Sequence, residues 1–264
     1  MSFQLSGRAP EIYENVMVPL WFGRWAEALI DLVEPKKGEN ILDVACGTGV
    51  TTRLLKEKVG ANGHVAGLDI NAGMLVKARE LATELDIEFI ESDVVDTKLK
   101  SNSFGAVISQ HGYHYFPDQA AALVEFYRIL MPQGRIAISI WDGHSAYTEA
   151  ICRAVEKYIS PEIAQIQRGQ RITPSASDLT KQLSDAKFEQ VQVVRQQLTI
   201  KVPKPSEFVP LHLVSMPIAQ AFIDLSNDQK NALISDVENS MNDYINGDQM
   251  MYPDAANVAT GITG

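Results

Sequence analysis

An apolar segment that stops at an acidic residue and breaks into glycine occupies residues 40–49, which read NILDVACGTG. The hydrophobic run predicts a short strand. Gly47 and Gly49 predict a turn, because glycine tolerates positive φ and lets the backbone come close to a ligand. A helical pattern follows over residues 50–58. A strand, a glycine turn and a helix in this order predict a nucleotide-cofactor site at the carboxyl end of the strand.

The spacing of the glycines indicates which cofactor this turn binds. A dinucleotide fold requires G-x-G-x-x-G, and Thr52 stands where the third glycine would be. Asp43, four residues before Gly47, suits a cationic group better than the pyrophosphate that a free helix N-terminus would receive. The pattern therefore favours S-adenosylmethionine, which carries an ammonium and a sulfonium group.

The acidic residue and glycines of residues 43–49, DVACGTG, resemble the first motif of the class I S-adenosylmethionine-dependent methyltransferases. The resemblance covers residues 38–141 and includes the Pro-Asp pair at 117–118 and the RILMPQG segment at 128–134. It is greatest to small-molecule enzymes of the ubiquinone and menaquinone type and to natural-product methyltransferases. It implies transfer of a methyl group from S-adenosylmethionine to a small acceptor, with release of S-adenosylhomocysteine.

Alternating strand and helix patterns predict an α/β fold with a Rossmann-like, doubly wound sheet. Residues up to 19 are predicted to be irregular, and a packing helix is expected over 20–33. Seven strands are predicted, mostly parallel, with the resemblance implying an antiparallel last strand: 40–44, 64–69, 88–92, 104–110, 135–141, 190–202 and 257–263. Further helices are predicted at 50–58, 72–85, 119–130, 147–158, 175–186 and 211–244, the last interrupted by Pro217.

The length of 264 residues indicates one methyltransferase domain over 1–264 with an addition to its α/β core. We expect an N-terminal helical segment at 1–37 and a cofactor-binding core at 38–145. A helical cap is expected at 205–251, inserted before the last strand in the manner that the resemblance implies.

Charge and cysteine content limit the class of partner. The formal charge of −10 argues against a nucleic-acid substrate, whose phosphates must be neutralised by basic side chains. Two cysteines suggest neither a disulfide framework nor a metal site, and they fit a reducing cytoplasm. We expect no leader sequence and no membrane span. The sequence gives no indication of the oligomeric state.

Acidic residues at the ends of the second and third strands are the main candidates for binding the nucleoside. Asp69 is placed to accept the ribose hydroxyls, although it can also be read as a helix cap. In the resembled family an acidic residue after the third strand binds the adenine amino group, which implies that role for Asp93; an ordinary loop aspartate is the alternative. The complete set expected at the cofactor is Tyr13, Asp43, Ala45, Gly47, Gly49, Asp69, Ile70, Met74, Asp93, Val94 and Gln110.

The loop at 111–118 is expected to border the reacting methyl group. Removing a proton from the acceptor requires a base, and histidine titrates near neutral pH. The resemblance makes His114 the first candidate and His111 the second, with Asp142 orienting either ring and His144 a weaker participant. The alternative is that such a histidine only bonds the backbone or stacks on a neighbouring tyrosine.

The acceptor is expected to be small and apolar or aromatic, with an oxygen, nitrogen or carbon atom receiving the methyl group. Trp21, Phe22 and Trp25 have helical spacing and are expected in the core rather than on the substrate wall. Apolar cap residues are candidates for the acceptor pocket: Phe208, Leu211, Leu213, Met216, Ile218 and Phe222. Two other functions stay open, a non-catalytic cofactor-binding partner and an NAD(P)-dependent oxidoreductase.

Overall fold

An eight-stranded sheet runs through the structure, a computed structural model that describes residues 9–264. Its order is β3-β2-β1-β4-β5-β8-β6, with β7 paired to β8. Strands β1 to β5 are parallel, and β8 runs antiparallel to both β5 and β6. The predicted fold class is confirmed. The strands are β1 Asn40–Val44, β2 His64–Asp69, β3 Ile87–Glu91, β4 Phe104–Gln110, β5 Leu130–Trp141, β6 Glu189–Pro203, β7 Ile245–Asn246 and β8 Gln249–Ile262.

Helices cover both faces of this sheet. They are α1 Ala9–Ile12, a π-helical segment Tyr13–Phe22, α2 Gly23–Val33, α3 Val50–Val59, α4 Ala72–Leu81, α5 Gln119–Ile129, α6 Ala146–Tyr158, α7 Pro161–Gly169, α8 Ala176–Asp185, α9 Pro205–Val214, α10 Ala219–Ile223 and α11 Asn227–Ser240. Leu29 of α2 and Leu55 of α3 pack on one face, and Phe126 of α5 and Leu183 of α8 pack on the other. Within residues 9–264, no helix combines the length and apolar character that crossing a bilayer requires.

The N-terminal segment differs from its prediction. Residues up to 19 were expected to be irregular, but the described chain is helical from Ala9 to Val33. Proline lacks the N–H of a helical hydrogen bond, and Pro19 is the last residue of the stretch expected to be irregular. It lies inside the π-helical segment, whose Met17 and Trp21 are buried in the core. Burial of these apolar side chains favours the helix over the local preference of proline. Residues 1–8 lie outside the described part, and so does that portion of the prediction.

The last strand is longer than predicted. Strand β8 begins at Gln249 instead of residue 257, because its first half extends past β5 and pairs with β6. Pro253 and Asp254 resemble turn residues, yet both lie within the ladder, and Met250 and Tyr252 beside them are fully buried. The helical part of the cap ends with a 3₁₀ turn at Asn242–Tyr244, close to the predicted helix end at 244, and the last residues of the predicted cap belong to β7 and β8. Helix α7 was not predicted, and it forms part of the site described next.

Candidate active site

A cavity opens at the carboxyl edge of the parallel strands. The strand order places the residues that follow neighbouring strands side by side along this edge: Asp93 after β3, Asp69 at β2, Ala45 after β1, Gln110 at β4 and Trp141 at β5, all of which line the cavity. Neighbouring strands are about 4.8 Å apart, so this row spans about 19 Å. An elongated ligand can thus extend across five strands.

The turn after β1 adopts the conformation that its glycines require. Ala45, Gly47 and Gly49 all have positive φ, at 55°, 56° and 80°. The backbone N–H of Gly47 points to the end of β2, where it donates to Oδ2 of Asp69 at 2.8 Å. A side chain at Gly112, on the facing loop, would place its Cβ 2.4 Å from the Cβ of Ala45. Small residues on both sides therefore bring the two backbones together at the cavity.

Asp69 holds both of its carboxylate oxygens at the cavity wall. Oδ2 accepts the Gly47 N–H, and Oδ1 accepts the backbone N–H of Asn71 at 2.8 Å. Each oxygen has a further lone pair for a hydroxyl donor. Burial raises the pKa of this carboxyl group despite these two bonds. The cap of α4 is Asn71, whose side chain accepts from Gly73 and Met74, so the helix-cap alternative for Asp69 does not describe this structure.

The other residues predicted around the nucleoside also line the cavity. Ile70 is 52% exposed, and Met74 and Val94, which line the same cavity, are buried. Asp93 lines the same wall, and its Oδ1 accepts the backbone N–H of Val95 at 3.1 Å. Tyr13 lies on the cavity from the N-terminal segment and stacks on Phe22. These positions agree with the predicted adenosine end.

Asp43 lies behind the glycine turn instead of on the cavity wall. It is 1% exposed, and Oδ2 accepts the hydroxyl of Thr52 at 2.6 Å. Thr52, which replaces the third glycine of a dinucleotide site, is therefore the partner of the motif carboxylate. Burial raises the pKa of Asp43 to about 7. Gly49, also off the cavity wall, starts helix α3.

The raised pKa of Asp43 predicts a pH-dependent stability. A carboxyl group whose pKa rises from 3.8 to about 7 on folding stabilises the fold at low pH, and this contribution is lost as the pH increases through 7. Asp43→Asn keeps an acceptor for Thr52 and removes the titration. Between pH 4 and 8 the wild-type protein should lose up to about 4 kcal/mol of unfolding free energy relative to the variant. Denaturant titrations at several pH values measure this difference.

Asp86 is the control for this change, because its side chain is 97% exposed and its one ion pair, with Lys56, is long at 3.8 Å. Asp86→Asn should follow the wild-type stability curve. If the unfolding free energies of wild type and Asp43→Asn change in parallel with pH, Asp43 ionises in the folded protein as it does in the unfolded chain, and the prediction is wrong.

Gln110 connects the cavity to the N-terminal segment. Its Nε2 donates to the carbonyl of Phe22 at 2.9 Å, and its Oε1 accepts the hydroxyl of Thr51 at 2.6 Å. A second contact joins Glu14 to the glycine turn, because its carboxylate accepts from Thr48 at 2.5 Å and from Arg53 at 2.6 Å. The N-terminal segment is thus fastened over the cofactor turn at two points.

The two candidate histidines have different surroundings. His111 lines the cavity, is 7% exposed, and stacks on Trp141 with ring centroids 3.6 Å apart. Its φ of 53° is unusual for a residue other than glycine. Within residues 9–264 neither of its ring nitrogens has a hydrogen-bond partner. Burial lowers the pKa of His111 well below its ordinary value, so the ring is neutral at pH 7.

His114, the first candidate from the sequence, is not on the cavity wall. Its ring lies 4.1 Å from that of Tyr115, so the stacking alternative describes its position. Burial lowers the pKa of His114 to about 4. Asp142 does not reach either histidine: it pairs with Arg195 at 2.6 Å and accepts from Asn257 at 3.0 Å. The weaker candidate His144 pairs with Glu149. The geometry favours His111.

The far half of the cavity has an aromatic wall that the sequence did not predict. Trp21 is in the core, as expected, and Phe22 packs against that core, but both also line the cavity together with Trp141. Trp25 is 1% exposed and is not on the cavity wall. Of the cap residues proposed for the acceptor pocket, Met216 lies on the wall. His212 and Arg171 line it as well. Helical spacing identifies buried faces, but a cavity wall and a packed core share the same apolar pattern.

His212 and Arg171 had no sequence signal of their own. Nδ1 of His212 and the hydroxyl of Tyr147 share a hydrogen bond of 2.9 Å. Burial lowers the pKa of His212 to about 3. Arg171 follows the unpredicted helix α7, and its partner Asp254 lies in the part of β8 that precedes the predicted strand at 257–263. A short polar stretch such as QRGQR at 167–171 reads as a solvated surface until the fold buries it.

The residues present fit S-adenosylmethionine. Asp69 offers two acceptor sites at the position for ribose hydroxyls, apolar side chains flank it for a purine ring, and the turn of Gly47 allows close approach of the backbone. Asp43 does not line the cavity: it lies behind the turn, its pKa is raised to about 7, and it supports the turn through the hydroxyl of Thr52. No cluster of basic side chains that would favour a pyrophosphate lines this half of the cavity among the described residues.

Comparison with known proteins identifies the family. Residues 35–195 match a family model described as a methyltransferase domain. A demethylmenaquinone methyltransferase of Listeria welshimeri is 30% identical over 186 residues, which are 65% of this chain and 79% of that protein. A 2-phytyl-1,4-naphtoquinone methyltransferase of Thermosynechococcus vestitus is 34% identical over 135 residues, 50% of this chain and 60% of that protein.

A solved structure shows the same fold over nearly the whole chain. Phosphoethanolamine N-methyltransferase 2 of Haemonchus contortus, in complex with S-adenosylhomocysteine, has a TM-score of 0.58 at 20% identity and covers 91% of this chain and 52% of its own. The prediction of an enzyme that uses S-adenosylmethionine is confirmed over the two alternatives. The chain belongs to the methyltransferase-domain family and is an S-adenosylmethionine-dependent methyltransferase.

Proposed function

We propose that this methyltransferase acts on a flat aromatic acceptor of the quinone type, in its hydroquinone form. The observation that carries the proposal is the aromatic wall beyond the predicted methyl end. Four aromatic rings contact one another in pairs, with centroids 3.6 to 6.2 Å apart. The pairs are Trp21 with Phe22, Trp21 with Trp141, Phe22 with His111, and His111 with Trp141. Aromatic walls favour flat rings through stacking and edge contacts. The quinone methyltransferases among the relatives support the same acceptor class.

The order of strands supports a division of the cavity into two ends. We expect the adenine of S-adenosylmethionine to contact Asp93, its ribose to contact Asp69, and its amino acid moiety to contact the turn of Gly47. When bound, this cofactor supplies an electrophilic methyl carbon on its sulfonium. Gln110 and His111 follow on β4, and Trp141 on β5 comes next. The acceptor ring would therefore lie near β4 and β5, beyond the sulfonium.

His111 would take the proton that the acceptor releases. Its ring is neutral at pH 7, and both buried nitrogens lack partners within the described chain, so a lone pair is left for the proton of an acceptor hydroxyl bound against the ring. The burial that lowers the pKa also makes the ring a weak base, so the proton must leave it quickly for solvent. The stack on Trp141 holds the ring plane in place. Proton removal of this kind contributes about 10²- to 10⁴-fold to a rate.

The N-terminal segment would exclude water from the reacting groups. Tyr13 and Phe22 cover the cavity, and the Glu14 and Gln110 contacts fasten that cover to the sheet. Positioning in a dry site contributes more to a displacement than any single side chain, about 7 to 11 kcal/mol in favourable cases. We also expect a cytoplasmic enzyme with no nucleic-acid substrate, consistent with the charge of −10.

A methyl-transfer assay with matched acceptors tests this function. We expect the purified enzyme to add one methyl group to a 1,4-naphthohydroquinone that has an open ring carbon, detected by mass spectrometry. Phosphoethanolamine and a short RNA serve as competing acceptor classes, and the same naphthalene ring with both oxygens blocked as ethers is the matched control. Methylation of phosphoethanolamine instead of the hydroquinone would contradict the proposal.

A further inference from the structure

Arg171 is a buried cation that lines the cavity beside the aromatic wall of Trp21, Phe22 and Trp141. It is 6% exposed, and its guanidinium carbon lies 4.0 Å from the ring centroid of Trp141. Two parallel hydrogen bonds join it to Asp254, from Nη1 to Oδ1 at 2.8 Å and from Nη2 to Oδ2 at 2.6 Å. Asp254 is itself 3% exposed and accepts the backbone N–H of Ala255. The guanidinium is therefore held in one plane and one orientation.

The hydrogen bonds of Arg171 leave one edge of its guanidinium available. A third bond runs from Nη1 to the carbonyl of Gly143 at 3.2 Å. A guanidinium has five N–H groups, so within residues 9–264 the Nε–H and the outer Nη2–H remain unpaired. These two groups are parallel and form the fork that matches a carboxylate or an oxygen with two lone pairs.

A purely structural role explains this arrangement less well. A buried ion pair contributes little to stability compared with apolar side chains of similar volume, because both charges lose their hydration. A cation whose donors served only the fold would also be expected to satisfy them there. Arg171 instead keeps two donors unpaired within the described chain while it lines the cavity beside Trp21 and Trp141. Its charge acts on the cavity, since it lowers the pKa of His212 together with burial.

We propose that Arg171 binds an oxygen atom on the acceptor ring through Nε–H and Nη2–H, and that Asp254 is the positioning residue that orients the guanidinium. The proposal rests on the aromatic acceptor of the proposed function and specifies it: the ring carries a hydroxyl, oxo or carboxylate oxygen directed away from the adenosine end. Rings of the same size without such an oxygen are poor ligands.

Calorimetric titration with three naphthalene probes tests this role without turnover. In the presence of S-adenosylhomocysteine, the wild-type protein should bind 2-naphthol or 2-naphthoate at least tenfold more tightly than naphthalene. Preference for the naphthol indicates a ring hydroxyl, and preference for the naphthoate a carboxylate. In Arg171→Lys the charge stays but the fork is lost, so the preference should fall below about threefold while naphthalene affinity is unchanged.

A double variant, Arg171→Met with Asp254→Asn, removes both partners of the ion pair and leaves no unpaired buried charge. It should lose the preference to the same extent. The affinity for S-adenosylhomocysteine should stay within threefold of wild type in both variants, which shows that they fold. If Arg171→Lys retains the full preference, or wild type binds all three probes equally, the proposal is wrong.

The two proposals fail separately. Loss of probe selectivity in the variants, without methyl transfer to a hydroquinone, would leave the role of Arg171 intact and overturn the quinone acceptor. If Arg171→Lys instead methylates a hydroquinone at the wild-type rate and KM, the quinone acceptor is supported and the role of Arg171 is overturned.

Discussion

Asp69→Ala is expected to weaken the binding of S-adenosylhomocysteine by about 100-fold or more. In the proposed binding mode the carboxylate would offer each oxygen to a ribose hydroxyl, while it accepts the N–H groups of Gly47 and Asn71. Hydrogen bonds to a charged group contribute about 1.5 to 3 kcal/mol each, and the alanine variant loses two of them to the ligand. The variant also frees the Gly47 N–H, so the turn loses its link to β2. Calorimetric titration measures the affinity directly.

Asp86→Ala provides the control for Asp69→Ala, because it removes one carboxylate from an exposed position before β3. Its affinity for S-adenosylhomocysteine should equal that of wild type. Asp69→Asn separates charge from geometry, since the amide keeps one acceptor, and an intermediate affinity is expected. An unchanged affinity in Asp69→Ala would show that the ribose is bound elsewhere.

His111→Gln is expected to lower kcat for methyl transfer by about 100-fold or more, with S-adenosylhomocysteine affinity within a few-fold of wild type. The glutamine is polar and of similar size, but it cannot take a proton. The unpartnered ring nitrogens of His111 and its place on the acceptor wall predict that the loss occurs in the chemical step. Single-turnover rates with a hydroquinone acceptor measure that step apart from binding.

Two other histidines serve as comparisons for His111→Gln. His64→Gln changes a half-exposed ring at the start of β2, at the opposite edge of the sheet, and should leave kcat unchanged. His114→Gln should have a smaller effect than His111→Gln, because His114 stacks on Tyr115 away from the cavity wall. A larger loss in His114→Gln would restore the order that the sequence suggested.

Local pattern was enough to predict the parallel half of the fold. Strand β1, the glycine turn, α3 and the acidic end of β2 follow one another within thirty residues, so each prediction needs only nearby sequence. The antiparallel half was predicted less well. The start of β8 and the helix through Pro19 are stabilised by distant partners, β6 and the cap core, which override the turn-forming preference of proline.

The residues of the candidate site fall into the same two groups, those predicted from local sequence and those placed by distant contacts. The chain by itself determined the cofactor class and the row of Asp69, Asp93 and Gly47, because residues at the ends of consecutive parallel strands must meet at one edge. Only the tertiary structure decided which histidine faces the cavity, and that Arg171 pairs with Asp254 across 83 positions of sequence. Apolar periodicity shows that a side chain turns inward. What it meets there depends on elements that contact one another only after the chain has folded.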